Sequence, residues 1–193
     1  MQQNRTLFLI EVAIFSAFAF VLDIIPFLSF KVWPQGGSVS FAMIPIFIIA
    51  FRWGTKGGLL AGFLYAILQM TLGTPYILNW AQALLDYPIA FTVLGFAGVM
   101  SPAVQGSLKA GTTKRFVGMV TIGVLIGIIL RFVAHFLSGI IFFGSVLEVG
   151  DWYYSLWYNG SYLLPAFIIN VIAVAFLFHK RPKLVAGNEK KTA

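Results

Sequence analysis

Cysteine is absent from the 193-residue chain, which removes disulfides, thiolate nucleophiles and thiolate-bound metals from consideration. Charge is scarce as well: Asp, Glu, Lys and Arg make up 10% of the residues, against about 25% in ordinary soluble domains. Acidic residues are the scarcest, six against 13 Lys and Arg, for a formal charge of +7. No phosphate-binding loop is present, because Gly106-Ser-Leu-Lys-Ala-Gly111 is followed by Thr112 where such a loop needs lysine. What fills the chain instead is apolar: 60% hydrophobic, 17% aromatic, mean hydropathy +0.91. A water-soluble globule of this composition would have too little polar surface to cover itself, so soluble enzymes, nucleic-acid modules and disordered tails are excluded. The sequence reads as one compact integral membrane unit.

Apolar runs punctuated by charge, Gly and Pro predict an all-α bundle of six transmembrane segments at 7–29, 39–53, 57–73, 79–101, 115–145 and 153–178. The first is too long for a signal-peptide core and lacks a small-residue cleavage site, so it reads as a retained span. The second and third, 15 and 17 residues, are short for a membrane and read as thin tilted spans or a re-entrant pair. With alternating spans, eleven of the basic residues, from Arg5 and Arg52 to Lys190 and Lys191, share one face; the other receives Lys31, Glu148 and Asp151. The positive-inside rule then predicts cytoplasmic termini, a single domain over 1–180 and a solvated basic tail over 181–193. Trp33, Tyr76, Trp152, Tyr153 and Trp157 would form an outer aromatic belt. Gly58/Gly62, Gly123/Gly127 and Ala13/Ala17 are small-xxx-small pairs, suited to close helix contact in lipid or, on the first helix, to a partner subunit.

Polar groups inside hydrocarbon are costly and therefore informative. At 1.5 Å rise per residue, Asp86, His135 and Asn159 fall at a similar depth in the outer half, level with Ser40, Tyr76 and Gln82. Gln82 and Asp86 are i,i+4 neighbours; Arg131, His135, Ser138 and Gly139 share another face, and Tyr154, Tyr158 and Tyr162 a third. Pro88 and Pro165 each remove a helical donor near this level. The shared depth predicts a pocket suited to a cation or planar heterocycle, with Trp33 and Phe143 supplying aromatic faces and Asp86 a charge. Structural readings stand beside it: an Asp86–Arg131 ion pair, a packing histidine at 135, and tyrosines serving as core or belt. A further alternative is an intramembrane hydrolase, with Gly36-Gly37-Ser38 as nucleophile turn and His135 as base. Lone His135 and scattered acids give no metal site.

The segments WPQGGSVSFAMIPIF, TPYILNWAQALLDYP, RFVAHFLSGIIFF and YYSLWYNGSY resemble the thiamine-specific substrate-binding (S) component of energy-coupling-factor vitamin importers, over nearly the whole chain. The resemblance implies six helices in a bacterial plasma membrane, thiamine captured from outside, no catalysis and no cofactor. It also implies a transmembrane coupling protein and two ATPases as partners. The same resemblance implies a substrate site at Trp33, Tyr76, Asp86, His135, Gly139, Phe143, Tyr154 and Asn159. It places the coupling protein's contact at Ala13 and Ala17. The family pattern has Glu at the Asp86 position, an acid near Ser40 in some members, and Trp near Phe143. These departures keep an S-component for riboflavin, biotin or a pyrimidine precursor as the alternative.

Overall fold

In the computed structural model, residues 2–33, 36–143 and 151–186 are described. The expected Glu148, Lys190 and Lys191 lie outside them. Five helices among the described residues are long and apolar enough to cross a membrane. They are α1 (Gln2–Ile24), α2 (Met43–Leu72), a third spanning Trp80–Lys109, a fourth spanning Thr113–Phe143 and a fifth, Asp151–Lys180. Among the described residues, strand structure is confined to an antiparallel hairpin, β1 (Ser29–Trp33) and β2 (Gly36–Ser40), pairing Phe30 with Val39 and Lys31 with Ser38. It replaces the irregular outer loop expected between the first two segments. Ser40 ends β2 rather than opening a helix, and its Oγ accepts from the Ala42 N–H at 3.0 Å.

The 39–53 and 57–73 segments are joined in α2, but Gly54 sits at φ 75°, ψ −170°, outside helical space. In a straight helix, residues 50 and 58 would be about 12 Å apart. Here a Cβ on Gly58 would lie 2.6 Å from the Ala50 Cβ, and one on Gly57 3.3 Å from the Ile49 Cγ2. The chain therefore folds back on itself at Gly54. Neighbours give the directions: Phe51 and Phe47 reach the positions of Gly123 and Gly127, while Ala61 and Gln69 bond Ser16 and Asp23 of α1. The first half of α2 rises only about 16 Å, roughly half the hydrocarbon thickness, so its start at Met43 lies inside the bundle.

Glycine sets the packing distances. A Cβ on Gly58 would stand 2.7 Å from the Gly95 Cα, and one on Gly123 2.6 Å from the Phe51 ring. In lipid, where burial of apolar surface gives no advantage over acyl chains, such close approach is what holds helices together. The third helix tightens into a 3₁₀ stretch, Val93–Met100, alongside this contact. Ala13 and Ala17 sit on the exposed face of α1 with Leu9, Ile10, Ile14 and Phe18.

Around Glu11, twelve residues before Asp23 on α1, a polar knot ties the helices to the tail. Arg52 donates to both Glu11 oxygens, Nε at 2.5 Å and Nη2 at 2.8 Å, and Trp53 Nε1 donates to Glu11 at 2.6 Å. The remaining Arg52 nitrogen donates to the carbonyls of Lys183 (2.8 Å) and Ala186 (2.6 Å). Val185 is buried there. Through Ala186 the tail expected in solvent is thus docked, because Arg52 supplies donors for its carbonyls.

Gly54→Ala tests the reversal. Its Cβ would meet nothing within 4 Å, so the cost is backbone strain alone, about 1–3 kcal/mol. Thermal unfolding in detergent should register that loss. The control Gly118→Ala, equally open but helical, should leave stability unchanged or slightly raised.

Candidate functional site

Above Met43, the bundle leaves a cavity of about 760 Å³. The hairpin contributes Ser29, Gly36, Gly37 and Ser38 to its wall, α1 contributes Asp23, and α2 contributes Tyr65 and Gln69. Gly37 needs its φ of +69° to let the strand lie against the Tyr162 ring, which a Cβ would meet at 2.7 Å.

The third helix enters this cavity through a local defect. Asn79 accepts from the Gln82 N–H at 3.0 Å and starts the helix. Leu85–Ile89 then widens into a π turn holding Asp86 and Pro88. Such bulges turn side chains inward, and Pro88 has no donor to close a normal turn. The fourth helix has a matching π turn at Gly139–Phe143, directly after His135 and Ser138.

Between these two defects the polar residues converge. Asp86 accepts from Ser138 Oγ at 2.7 Å and Gln82 Nε2 at 2.6 Å, and its other oxygen lies 2.9 Å from His135 Nδ1. Arg131 Nε donates to His135 Nε2 at 3.1 Å. An arginine has no acceptor, so Nε2 carries no proton, and Nδ1–H donates to Asp86. Arg131 completes its surroundings with Met43 Sδ at 2.9 Å and the Phe91 ring, 4.4 Å from the guanidinium. The expected pairing of Asp86 with Arg131 therefore runs through His135. With both ring nitrogens engaged, His135 has none to offer Ser38 as a base, so the hydrolase geometry is not present.

Gln82 extends the cluster into the segment before the helix. Its Oε1 accepts from the Leu78 N–H at 2.9 Å and its Nε2 donates to the Tyr76 carbonyl at 3.3 Å. Tyr87 accepts from the Tyr76 N–H at 2.8 Å. Tyr76 then stacks on Phe143, with ring centroids 6.2 Å apart.

On the fifth helix, Tyr162 donates to Asn159 Oδ1 at 2.7 Å, and Asn159 Nδ2 donates to the Ser155 carbonyl at 2.9 Å. Tyr154, Tyr158 and Trp33 stack in series at 5.6 Å spacings. Gly139 allows this helix its approach: a Cβ there would come within 2.8 Å of the Ser155 Cβ.

Of the eight residues expected at the site, Tyr76, Asp86, His135, Gly139, Phe143, Tyr154 and Asn159 line the cavity. Trp33 does not. It packs behind Tyr158 and donates Nε1–H to Ser161 at 2.9 Å. Sequence reasoning missed Asp23, Tyr65, Gln69, Tyr87 and Phe91 on the same walls. Gln69 and Tyr65, four residues apart like Gln82 and Asp86, carried the same signal of a polar pair inside an apolar run. Among the described residues, no three His, Asp or Glu side chains converge on a metal-sized site.

A cavity of this size, enclosed by membrane-capable helices and lined by aromatics around a fixed carboxylate, defines a ligand-binding integral membrane protein. The chain belongs to the thiamine transporter protein family, whose model matches residues 9–186. It is 42% identical over 190 residues to the thiamine transporter ThiT of Bacillus subtilis, covering 97% of this chain and 98% of that protein. It is 31% identical over 198 residues to ThiT of Lacticaseibacillus paracasei, covering 100% and 97%. A solved structure of ThiT from Listeria monocytogenes superposes with a TM-score of 0.87 at 32% identity, over 94% of this chain and 98% of that one. The family is one of transporters, so the chain is not an enzyme.

The relay predicts energetic coupling between residues that do not touch. Arg131→Met and Asp86→Asn should each lower the thermal stability of the detergent-solubilised protein by a few kcal/mol, about 3–5 for a strand of a buried charge network left unpaired. Made together, they should cost at least about 1 kcal/mol less than the sum. Strict additivity would contradict a route through His135.

Proposed function

We propose that this protein captures thiamine from outside the cell in the cavity around Asp86 and delivers it for uptake as the S-component of an energy-coupling-factor transporter. The observation that carries this reading is the His135–Asp86–Ser138 cluster standing between stacked aromatic pairs, in a chain of the thiamine transporter family. Thiamine is a cation built of two flat rings. A carboxylate and aromatic faces suit its charge, and each cation–π contact contributes about 0.5–2 kcal/mol. Its aminopyrimidine needs donors and acceptors at fixed positions, and Asp86 and Asn159 are both held rigidly by neighbours. Asp86 is one methylene shorter than Glu, and the two donors on it from the fourth helix bring the wall to the carboxylate.

The topology that fits this role is six spans with both termini cytoplasmic, α2 counting twice because of the reversal at Gly54. Support comes from the charge distribution. Arg52, Glu11 and the docked tail share the end of α1 remote from Asp23, about 18 Å along the helix. The exposed Ala13 and Ala17 leave a shallow apolar surface, and we assign it to the transmembrane coupling protein, with two ATPases supplying energy from the cytoplasm. We assign the whole to a bacterial plasma membrane, a reading that the bacterial origin of the related transporters supports.

Thiamine titrated into the purified protein should change its tryptophan fluorescence at submicromolar concentration, while riboflavin and biotin leave it unchanged. Asp86→Ala should abolish the response with the fold retained. A response to riboflavin or biotin instead of thiamine would sink the assignment.

A further inference from the structure

Two carboxylates line the cavity, and they stand in different electrical situations. Asp86 receives three hydrogen bonds, and its charge is balanced through His135 by the buried Arg131. Asp23 is surrounded by neutral donors: Ser29 Oγ at 3.0 Å on one oxygen, Gln69 Nε2 on the other, and the Tyr65 hydroxyl beside them. Gln69 is itself oriented by its second bond, to the Tyr65 hydroxyl at 2.9 Å.

Position sharpens the contrast. Asp23 lies in the last turn of α1, where the helix dipole is negative and an acid is disfavoured by about 0.3–1 kcal/mol. Nothing in the fold requires an acid there, since a neutral acceptor would satisfy Ser29 and Gln69 equally. Lys31 also lines the cavity, but it is exposed on the hairpin and makes no ion pair with Asp23. Among the described residues, Arg131 is linked to Asp86 and Lys31 pairs with neither acid, so Asp23 is the cavity carboxylate with no cation in its hydrogen-bond network.

We propose that Asp23 is a specificity-determining residue that reads the positive charge of the bound ligand, while Asp86 acts as a hydrogen-bonding hub. This rests on the thiamine reading above. It divides between two walls what one carboxylate was expected to do alone: the α1 side supplies net charge, and the third and fourth helices supply directional contacts. The division follows from the shared chemistry of a flat monocation, whose charge needs a counter-ion and whose ring edges need oriented partners.

The test compares thiamine with its neutral thiophene isostere, in which carbon replaces the charged ring nitrogen. Wild-type protein should prefer thiamine, and Asp23→Asn should weaken thiamine binding about tenfold or more while changing affinity for the neutral analogue less than about twofold. Asp23→Glu, which keeps the charge, should retain the preference even where its absolute affinity falls. Equal weakening for both ligands would show that Asp23 only scaffolds Ser29 and Gln69, and overturns the proposal. So does unchanged thiamine affinity in Asp23→Asn, or an Asp23→Glu protein without the preference. Wild-type protein that binds no thiamine fails the functional reading itself, a result visible before any variant is made.

Discussion

A guanidinium buried among apolar helices is the feature around which the rest of the molecule is arranged. Arg131 is only 7% exposed, and a cation at that depth is tolerated only when its donors are engaged and its charge is answered. His135 provides both services. It accepts from Arg131 on one nitrogen and donates a hydrogen bond to Asp86 from the other. Asp86 in turn draws in Ser138 and Gln82, and Gln82 holds the backbone of the segment around Tyr76. One charge thereby ties the third helix to the fourth and fixes the wall on which Tyr76 and Phe143 stack.

Where that network stands is decided by helix lengths and glycine. The first half of α2 is too short to reach across the bilayer, and the end that carries Met43 meets Arg131 inside the bundle. The space above it is closed by the β hairpin, whose Gly37 lies on Tyr162. Gly54 makes this possible by turning the chain so sharply that two short halves serve where a 30-residue helix of about 45 Å would overshoot the membrane. At the other end Arg52 binds Glu11 and the tail carbonyls together, so the two ends of the bundle are each fastened by one arginine.

Much of the site was legible because polar residues in an apolar chain are few and costly. Asp86, His135, Ser138 and Asn159 stood out on depth alone, and seven of eight expected residues line the cavity. Trp33 stacks on Tyr158 outside the cavity lining, because aromatic character says that a ring sits at a wet boundary, not which side of a neighbouring ring it occupies. Asp23 was not picked out because it stands alone near the end of its apolar run, and only the reversal of α2 brings Gln69 and Tyr65 beside it. The hairpin escaped notice because Lys31 to Ser40 carries turn residues without an alternation strong enough to signal two strands.

The sequence by itself determined the membrane as solvent, the helical class, the approximate ends of the segments and the level at which polar groups meet. Those follow from composition and from a fixed rise per residue, which are properties of a chain taken one segment at a time. Tertiary structure decided which nitrogen of His135 faces which partner, that Arg131 reaches Asp86 only by relay, and that α2 doubles back. It also decided that a second carboxylate opens onto the same cavity. Each of these depends on contacts between residues tens of positions apart, and no local pattern encodes the angle at which two helices meet.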